Sequence, residues 1–135
     1  MNEDLRDLYL RYVTAANARD YEAIAGLIHE DVKVNGVTSR REDVLASLKG
    51  FAEAIPDFTW NLEDLIIVDD RIAARLRNTG TPAKQWLGIE PSHTQIEITE
   101  MSNYKIRDGR FAEMWFLMDF ASAAQQLRQS AAQPQ

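Results

Sequence analysis

The dominant hydrophobic period of this chain changes after Pro56, from that of a helix to that of a strand. Upstream, Leu5, Leu8, Tyr9, Tyr12, Val13 and Ala16 recur at i, i+3, i+4, i+7, which predicts an amphipathic helix over roughly residues 3–18. Downstream, from Phe58, apolar residues alternate with a period of two. Helices that come first, followed by strands in hairpin succession, predict an α+β domain with helices gathered on one face of an antiparallel sheet. A long, twisted sheet curling round a helix leaves a conical cavity, and ligand sites in such folds lie there.

The finer reading fills in this frame. Asp20 is an expected N-cap for a short second helix, Tyr21 to Ile28. Asp31 to Gly36 alternates and turns at Asn35-Gly36, as a short strand does. Ser39-Arg40-Arg41-Glu42 matches a capping box with Glu42 at N3, opening a third helix that stops near Ile55-Pro56. Phe58 to Val68 and Arg71 to Asn78 form a hairpin about Asp69-Asp70. Gln95 to Arg107 and Phe111 to Phe120 form another, with Asp108-Gly109 as its turn. A mixed loop, Ala83 to Thr94, separates the hairpins, and a helix from Ala121 to Gln129 closes the chain. One domain over residues 1–130 and a frayed tail over 131–135 are expected.

Composition narrows the function. The 135 residues are 45% apolar, with 5 Phe, 3 Trp and 4 Tyr, enough for a core and an aromatic-walled pocket. A net charge of −6 and no basic cluster longer than Arg40-Arg41 argue against nucleic acid as a partner. No stretch approaches the roughly 20 apolar residues of a membrane span. The start, Met1-Asn2-Glu3-Asp4, has no signal-peptide pattern, and Cys is absent, so a cytoplasmic location is expected. His29 and His93 are far apart, without a second ligand at helical spacing, so metal chemistry is not expected. Neither a nucleophile elbow nor a phosphate loop nor a dinucleotide fingerprint occurs, and no cofactor is expected. Chemistry must rest on carboxylate, amide, imidazole or hydroxyl groups acting on a small molecule.

Asp119 stands out. It ends the run Trp115-Phe116-Leu117-Met118, where an ionised carboxylate must be paired, solvated or protonated. Strand parity puts Glu113, Trp115, Leu117 and Asp119 on one face and Met114, Phe116, Met118 and Phe120 on the other. If the Trp115 face meets the cavity, Asp119 is an acid–base group beside an indole; otherwise it caps the helix that follows. On the preceding strand Glu100 and Ser102 interrupt the row Ile96, Ile98, Tyr104, Ile106: they line the cavity, or a bulge turns them outward. Arg75 either holds a carboxylate or is a strand-surface charge. Asn35 either serves the turn alone or aims its amide into the cavity mouth. His29 reads as a surface residue after the short helix. His93 reads as loop-exposed; imidazole is the side-chain type suited to neutral-pH proton transfer. Trp60, Trp86, Phe51 and Phe58 are core or cavity wall and suit a flat ligand.

Taken in order, these segments resemble a known family. Asn17 to Ile28 followed by Asp31-Val32 is similar to the opening of the nuclear-transport-factor-2-like superfamily. Ile55-Pro56-Asp57-Phe58, Gly80-Thr81, Gly88-Ile89-Glu90-Pro91, Asp108-Gly109-Arg110 and Glu113-Met114-Trp115 with Asp119 resemble the SnoaL-like polyketide cyclases, or ester cyclases, over about residues 5–128. The resemblance implies a cone-shaped α+β barrel, with N-terminal helices packed in a strongly curved antiparallel sheet around an apolar pocket. It implies a homodimer or higher oligomer and a small hydrophobic or aromatic ligand. It also implies ring closure by intramolecular aldol condensation on an aromatic polyketide ester, without metal or cofactor. In that mechanism Asp119, ending the Trp-x-x-x-Asp motif, exchanges the proton while the substrate's π-system delocalises the enolate. Asn35 falls where relatives often place a polar pocket residue. Two positions depart from the pattern: Pro82 stands where Gly-Thr-His is common, and Pro91-Ser92-His93 replaces Pro-Thr-Gly. Both fall at the expected pocket rim. The same scaffold hosts isomerases, hydrolases, hydroxylases and non-catalytic binders, so the alternatives are a small-molecule binder without chemistry and a dimeric interaction module that buries the face with Met114, Phe116 and Met118 against a partner.

Overall fold

The computed structural model describes residues 2–132. Helices α1 (Asn2–Ala18) and α2 (Tyr21–Ala25) come first. Strands β1 (Ile28–Val34) and β2 (Val37–Arg40) follow, then helix α3 (Arg41–Ala54). Strands β3 (Leu62–Val68), β4 (Arg71–Gly80), β5 (Ile96–Arg107) and β6 (Arg110–Met118) and helix α4 (Phe120–Ala132) complete the chain. The six strands form one curled sheet in the order β2-β1-β6-β5-β4-β3. This is the expected α+β cone.

Local rules account for most boundaries. Asp20 Oδ1 accepts a hydrogen bond from Ala23 N at 3.1 Å, so α2 starts where its cap predicts. It stops at Ala25, three residues early, because Ile28 is already paired to β6. His29 therefore lies in β1, with Nε2 2.6 Å from Arg107 O. The cap of α3 sits one residue later than the capping-box pattern: Arg40 is the N-cap, and Asp43 Oδ2 accepts from Arg40 N at 2.8 Å. A guanidinium has no acceptor to return the bond, so only half of such a box forms. Phe58 to Trp60 make only an isolated bridge, Thr59 to Thr79, before β3 begins. Helix α4 runs on to Ala132, through the start of the tail expected to fray; residues 133–135 lie outside the described residues.

Two features escaped local reasoning. The sheet is not wholly antiparallel, because β1 runs parallel to β6, pairing Ile28 with Phe111 and Val34 with Met114. The β5–β6 register also skips Ala112: Lys105 faces Glu113, and Ile106 faces Phe111. One extra residue reverses strand parity, so Phe111 and Met114 both point inward.

The core lies between the inner face of the sheet and α1. Leu8, Tyr9, Tyr12, Ala15 and Ala16 of α1 pack against Tyr104, Ile106, Phe111 and Met114 of the sheet. The far end of α1 is pinned by the Asn17 side chain, which donates to Trp60 O (2.9 Å) and accepts from Trp60 N (2.8 Å). Arg19, in the left-handed region at φ 58°, donates to Pro56 O and Phe58 O at 3.0 and 2.8 Å. The approach to β3 is thus held by polar bonds where no strand ladder is available.

Gly80 ends β4 against this segment. A Cβ there would stand 2.4 Å from Ile55 Cγ2 and 3.2 Å from the Phe58 backbone. Gly80→Ala is expected to lower stability by about 1–3 kcal/mol through overpacking, read by urea denaturation. An unchanged midpoint would mean that Ile55 gives way freely.

Candidate functional site

Between α1, α3 and the inner sheet face lies a cavity of about 320 Å³. Its buried wall includes Tyr9, Tyr12 and Ala16 of α1, Leu76 of β4, Glu100 and Tyr104 of β5, and Trp60. Val34, Leu48, Phe51, Phe116 and Met118 are half-buried around it. The exposed rim carries Asn35, Asp43, Ser47 and Phe120. Its size and mainly apolar lining fall in the range of small-molecule sites.

The strand pattern explains those polar groups. β5 alternates buried and exposed without interruption up to Tyr104, and Glu100 and Ser102 fall in its buried phase. No bulge turns them outward. Glu100, 2% exposed, faces Leu76 across one ladder and Met118 across the other. Its Oε1 accepts from Asn78 Nδ2 at 2.8 Å, and its Oε2 accepts from the Ser102 hydroxyl. Asn78 is wholly buried, and its own Oδ1 has no partner among the described residues.

Burial pushes the Glu100 carboxyl above the ordinary carboxylate range, and the bonds from Ser102 and Asn78 pull it only part of the way back. Burial also pushes the Tyr9, Tyr12 and Tyr104 phenols upward, and the negative charge of Glu100 adds to the rise at each. The three rings pack on one another with centroids 5.5–6.2 Å apart. At neutral pH they are therefore neutral hydroxyl donors around one carboxyl. Such an arrangement can hold a proton, pass it to a bound molecule and hydrogen-bond an oxygen of that molecule.

The other sequence-derived candidates are dispersed. Asp119 is exposed and outside the cavity wall, although it lies between two lining residues, Met118 and Phe120. Its Oδ1 accepts from Ser122 N at 3.0 Å, so it caps α4. Trp115 is 44% exposed on the outer sheet face, because the cavity lies on the Phe116 and Met118 side. Both faces of β6 are apolar, so hydropathy could not choose between them. Arg75 is also outward, 2.8 Å from Glu63 Oε1 in a surface ion pair. Asn35 reaches the rim, where its Oδ1 accepts from Phe116 N at 2.8 Å and its backbone N–H donates to Met114 O at 2.9 Å. It has positive φ (52°) and serves the turn as well. Trp86 packs edge-on against Phe120, with centroids 5.9 Å apart, behind the rim. His93 is exposed, and Pro82 is buried; neither lines the cavity. Trp60 and Phe51 are cavity wall, and Phe58 is core.

Sequence reasoning did not single out Tyr9, Tyr12, Tyr104 or Asn78 for chemistry. The signal was present in part, since Tyr104 shares the strand face of Glu100 and Ser102. Tyr9 and Tyr12, however, read as ordinary apolar-stripe residues of α1.

The sequence matches the SnoaL-like polyketide cyclase family over residues 6–127. The chain belongs to that family. Solved structures agree. IdmH from Streptomyces antibioticus, described as a candidate polyketide cyclase, is 25% identical with a TM-score of 0.85, over 91% of this chain and 97% of that one. A SnoaL-like polyketide cyclase from Agrobacterium tumefaciens shares the fold at 23% identity and TM-score 0.83, again over 91% and 97%. AclR from Streptomyces galilaeus, described as a candidate hydroxylase, shares it at 21% and 0.82, over 96% and 98%. No curated protein matches this family member. The neighbours carry more than one named activity on one fold, so the reaction must be argued from the site.

The raised Glu100 titration has a consequence for stability. Unfolded, the carboxyl titrates in the ordinary range, about 4.3. Below that, both states hold the proton and burial costs no charge. As pH rises through the ordinary value toward the raised one, the unfolded chain ionises first, and stability falls. Glu100→Gln removes this term, so the variant should gain on the wild type as pH rises, read by denaturant midpoints across the range. A stability difference independent of pH would contradict a raised carboxyl.

Proposed function

We propose that this chain takes a small, flat, apolar molecule into the cavity and exchanges a proton with it without a cofactor, Glu100 acting as the general acid–base group. The reaction class is enolisation followed by aldol-type ring closure or isomerisation, in keeping with the family. The observation that carries this is a buried carboxyl, raised above its ordinary range, in the wall of an otherwise apolar cavity. A base tuned upward toward neutrality is more effective at removing a proton from carbon than an ordinary carboxylate.

The family resemblance points instead to Asp119, next to the rim. The two assignments separate cleanly, because Asn caps a helix as well as Asp does, so Asp119→Asn removes the proton chemistry and leaves α4 in place. The probe is deuterium exchange at the activated methylene of 2-tetralone, followed by NMR in D₂O. The wild type should exceed the buffer rate. Glu100→Gln should fall about a hundredfold or to background, and Asp119→Asn should stay within a few-fold of wild type. The reverse pattern would assign the reaction to Asp119.

A non-catalytic binder is the second reading. It is favoured by the two hydrogen bonds that occupy both oxygens of Glu100 and hold it as a structural group. Saturable 2-tetralone binding with exchange at the buffer rate would decide for it.

The family expectation of a homodimer needs an outward apolar face. Met114, Phe116 and Met118 do not supply it, since they point inward. Ile66, Met101, Trp115 and Leu117 stand exposed on the outer face around one shallow groove. Light scattering should give twice the 15.4 kDa chain mass, and Leu117→Glu should halve it. A monomeric wild type would reject the dimer.

A further inference from the structure

Among the polar groups of the cavity that the proton-exchange reading leaves unused, Tyr12 stands apart. Tyr12 is 5% exposed, its hydroxyl has no hydrogen-bond partner among the described residues, and it lines the same cavity as Glu100. Its ring is fixed on three sides, by Tyr9 at 6.2 Å, Tyr104 at 6.2 Å and Phe111 at 5.0 Å between centroids. Unlike Asn78 Oδ1, the Tyr12 hydroxyl is not sealed inside the protein, so it is left able to bond what enters the cavity. Here the open side of that hydroxyl is the cavity. The rigid ring cluster means that a ligand must come to the hydroxyl, since the hydroxyl cannot swing to another partner.

We infer that the Tyr12 hydroxyl is the oxygen-recognition group of this site: it donates a hydrogen bond to a carbonyl or enolic oxygen of the ligand, which selects flat one- or two-ring molecules bearing such an oxygen over their hydrocarbon counterparts.

The chemistry that follows rests on the proton-exchange reading above. The Glu100 carboxylate takes the proton from the carbon next to the carbonyl; the C–H bond breaks and an O–H bond forms on Glu100. The C–H electron pair becomes the new C=C bond, and the carbonyl π pair moves onto oxygen. The Tyr12 O–H then faces a full negative charge, to which its hydrogen bond is stronger than to the neutral ketone. Returning the proton from Glu100 to carbon reverses the step. Tyr12 itself keeps its proton throughout, consistent with a phenol that burial and the nearby carboxylate hold in the neutral form. Tyr9 and Tyr104 lie beside it but are 1% exposed against 5% for Tyr12, which is the most open of the three to a ligand.

The test reads binding and needs no turnover, so it can fail or succeed independently of Glu100 catalysis. The probes are 2-naphthol and 2-methylnaphthalene, which share a two-ring body and differ in the oxygen. Dissociation constants come from quenching of probe fluorescence. The wild type should bind 2-naphthol about fivefold to tenfold more tightly than 2-methylnaphthalene. In Tyr12→Phe this preference should vanish while the affinity for 2-methylnaphthalene is retained, which also shows that the variant is folded. Tyr21→Phe, a tyrosine outside the cavity wall, should keep the preference. Loss of the preference in Tyr9→Phe with retention in Tyr12→Phe overturns the assignment, as does a wild type that binds neither probe or binds both equally. If the preference follows Tyr12 but 2-tetralone exchange never exceeds the buffer rate, oxygen recognition stands and proton exchange does not.

Discussion

A curled sheet with a largely apolar inner face persists in water only if something covers that face. In this chain α1 does so, laying Leu8, Tyr9, Tyr12, Ala15 and Ala16 along β5 and β6. Burial of whole aromatic and aliphatic side chains contributes on the order of 1.5–3 kcal/mol each, so this one contact organises the domain. The polar ties at either end matter because of it. Asn17 and Arg19 hold the helix to the chain before β3, and Asn35 holds the first hairpin to β6. The cover is incomplete toward α3, and the uncovered part of the inner face is the cavity.

The position of Glu100 follows from the same geometry. β5 lies inside the sheet with neighbours on both sides, and α1 lies across its inner face, so any side chain in its buried phase loses water. A glutamate there would be strongly disfavoured as a bare charge. Asn78 and Ser102 supply one hydrogen bond to each carboxyl oxygen, and the cavity leaves room for a ligand to reach it. The surrounding tyrosines stay neutral because burial and the carboxylate both oppose their ionisation. A carboxyl and three phenol hydroxyls thus meet in one largely buried place, the condition under which hydrogen bonds and charges act most strongly.

The helix-cap role of Asp119 illustrates how one residue can satisfy a motif and a local rule together. It ends β6, accepts from Ser122 N and stands next to two cavity-lining side chains. Its exposure makes it an inexpensive charge, whereas the buried charge is the one on β5. The departures at Pro82 and His93 also lose their significance as rim changes, since neither side chain meets the cavity. What distinguishes this chain from a generic cone is inside, on the faces of α1 and β5.

The amino-acid sequence alone determined the order of helices and strands except for β2, whose residues read as a turn and a helix cap, together with the turns at Asn35-Gly36 and Asp108-Gly109, the cap at Asp20 and the polar interruption at Glu100 and Ser102. Each is a short-range property: a period, a turn conformation or a side chain bonding a nearby amide. The family resemblance supplied the cone. Only the tertiary structure decided which face of β6 is buried, because both faces are apolar and the Ala112 bulge resets the parity. Only it paired β1 parallel to β6, placed Tyr9 and Tyr12 of α1 over Glu100, and turned Trp115 and Arg75 outward. Those outcomes depend on pairings between strands and on contacts between residues far apart in the chain, such as Ile28 with Phe111 and Tyr12 with Tyr104, and no local pattern carries that information.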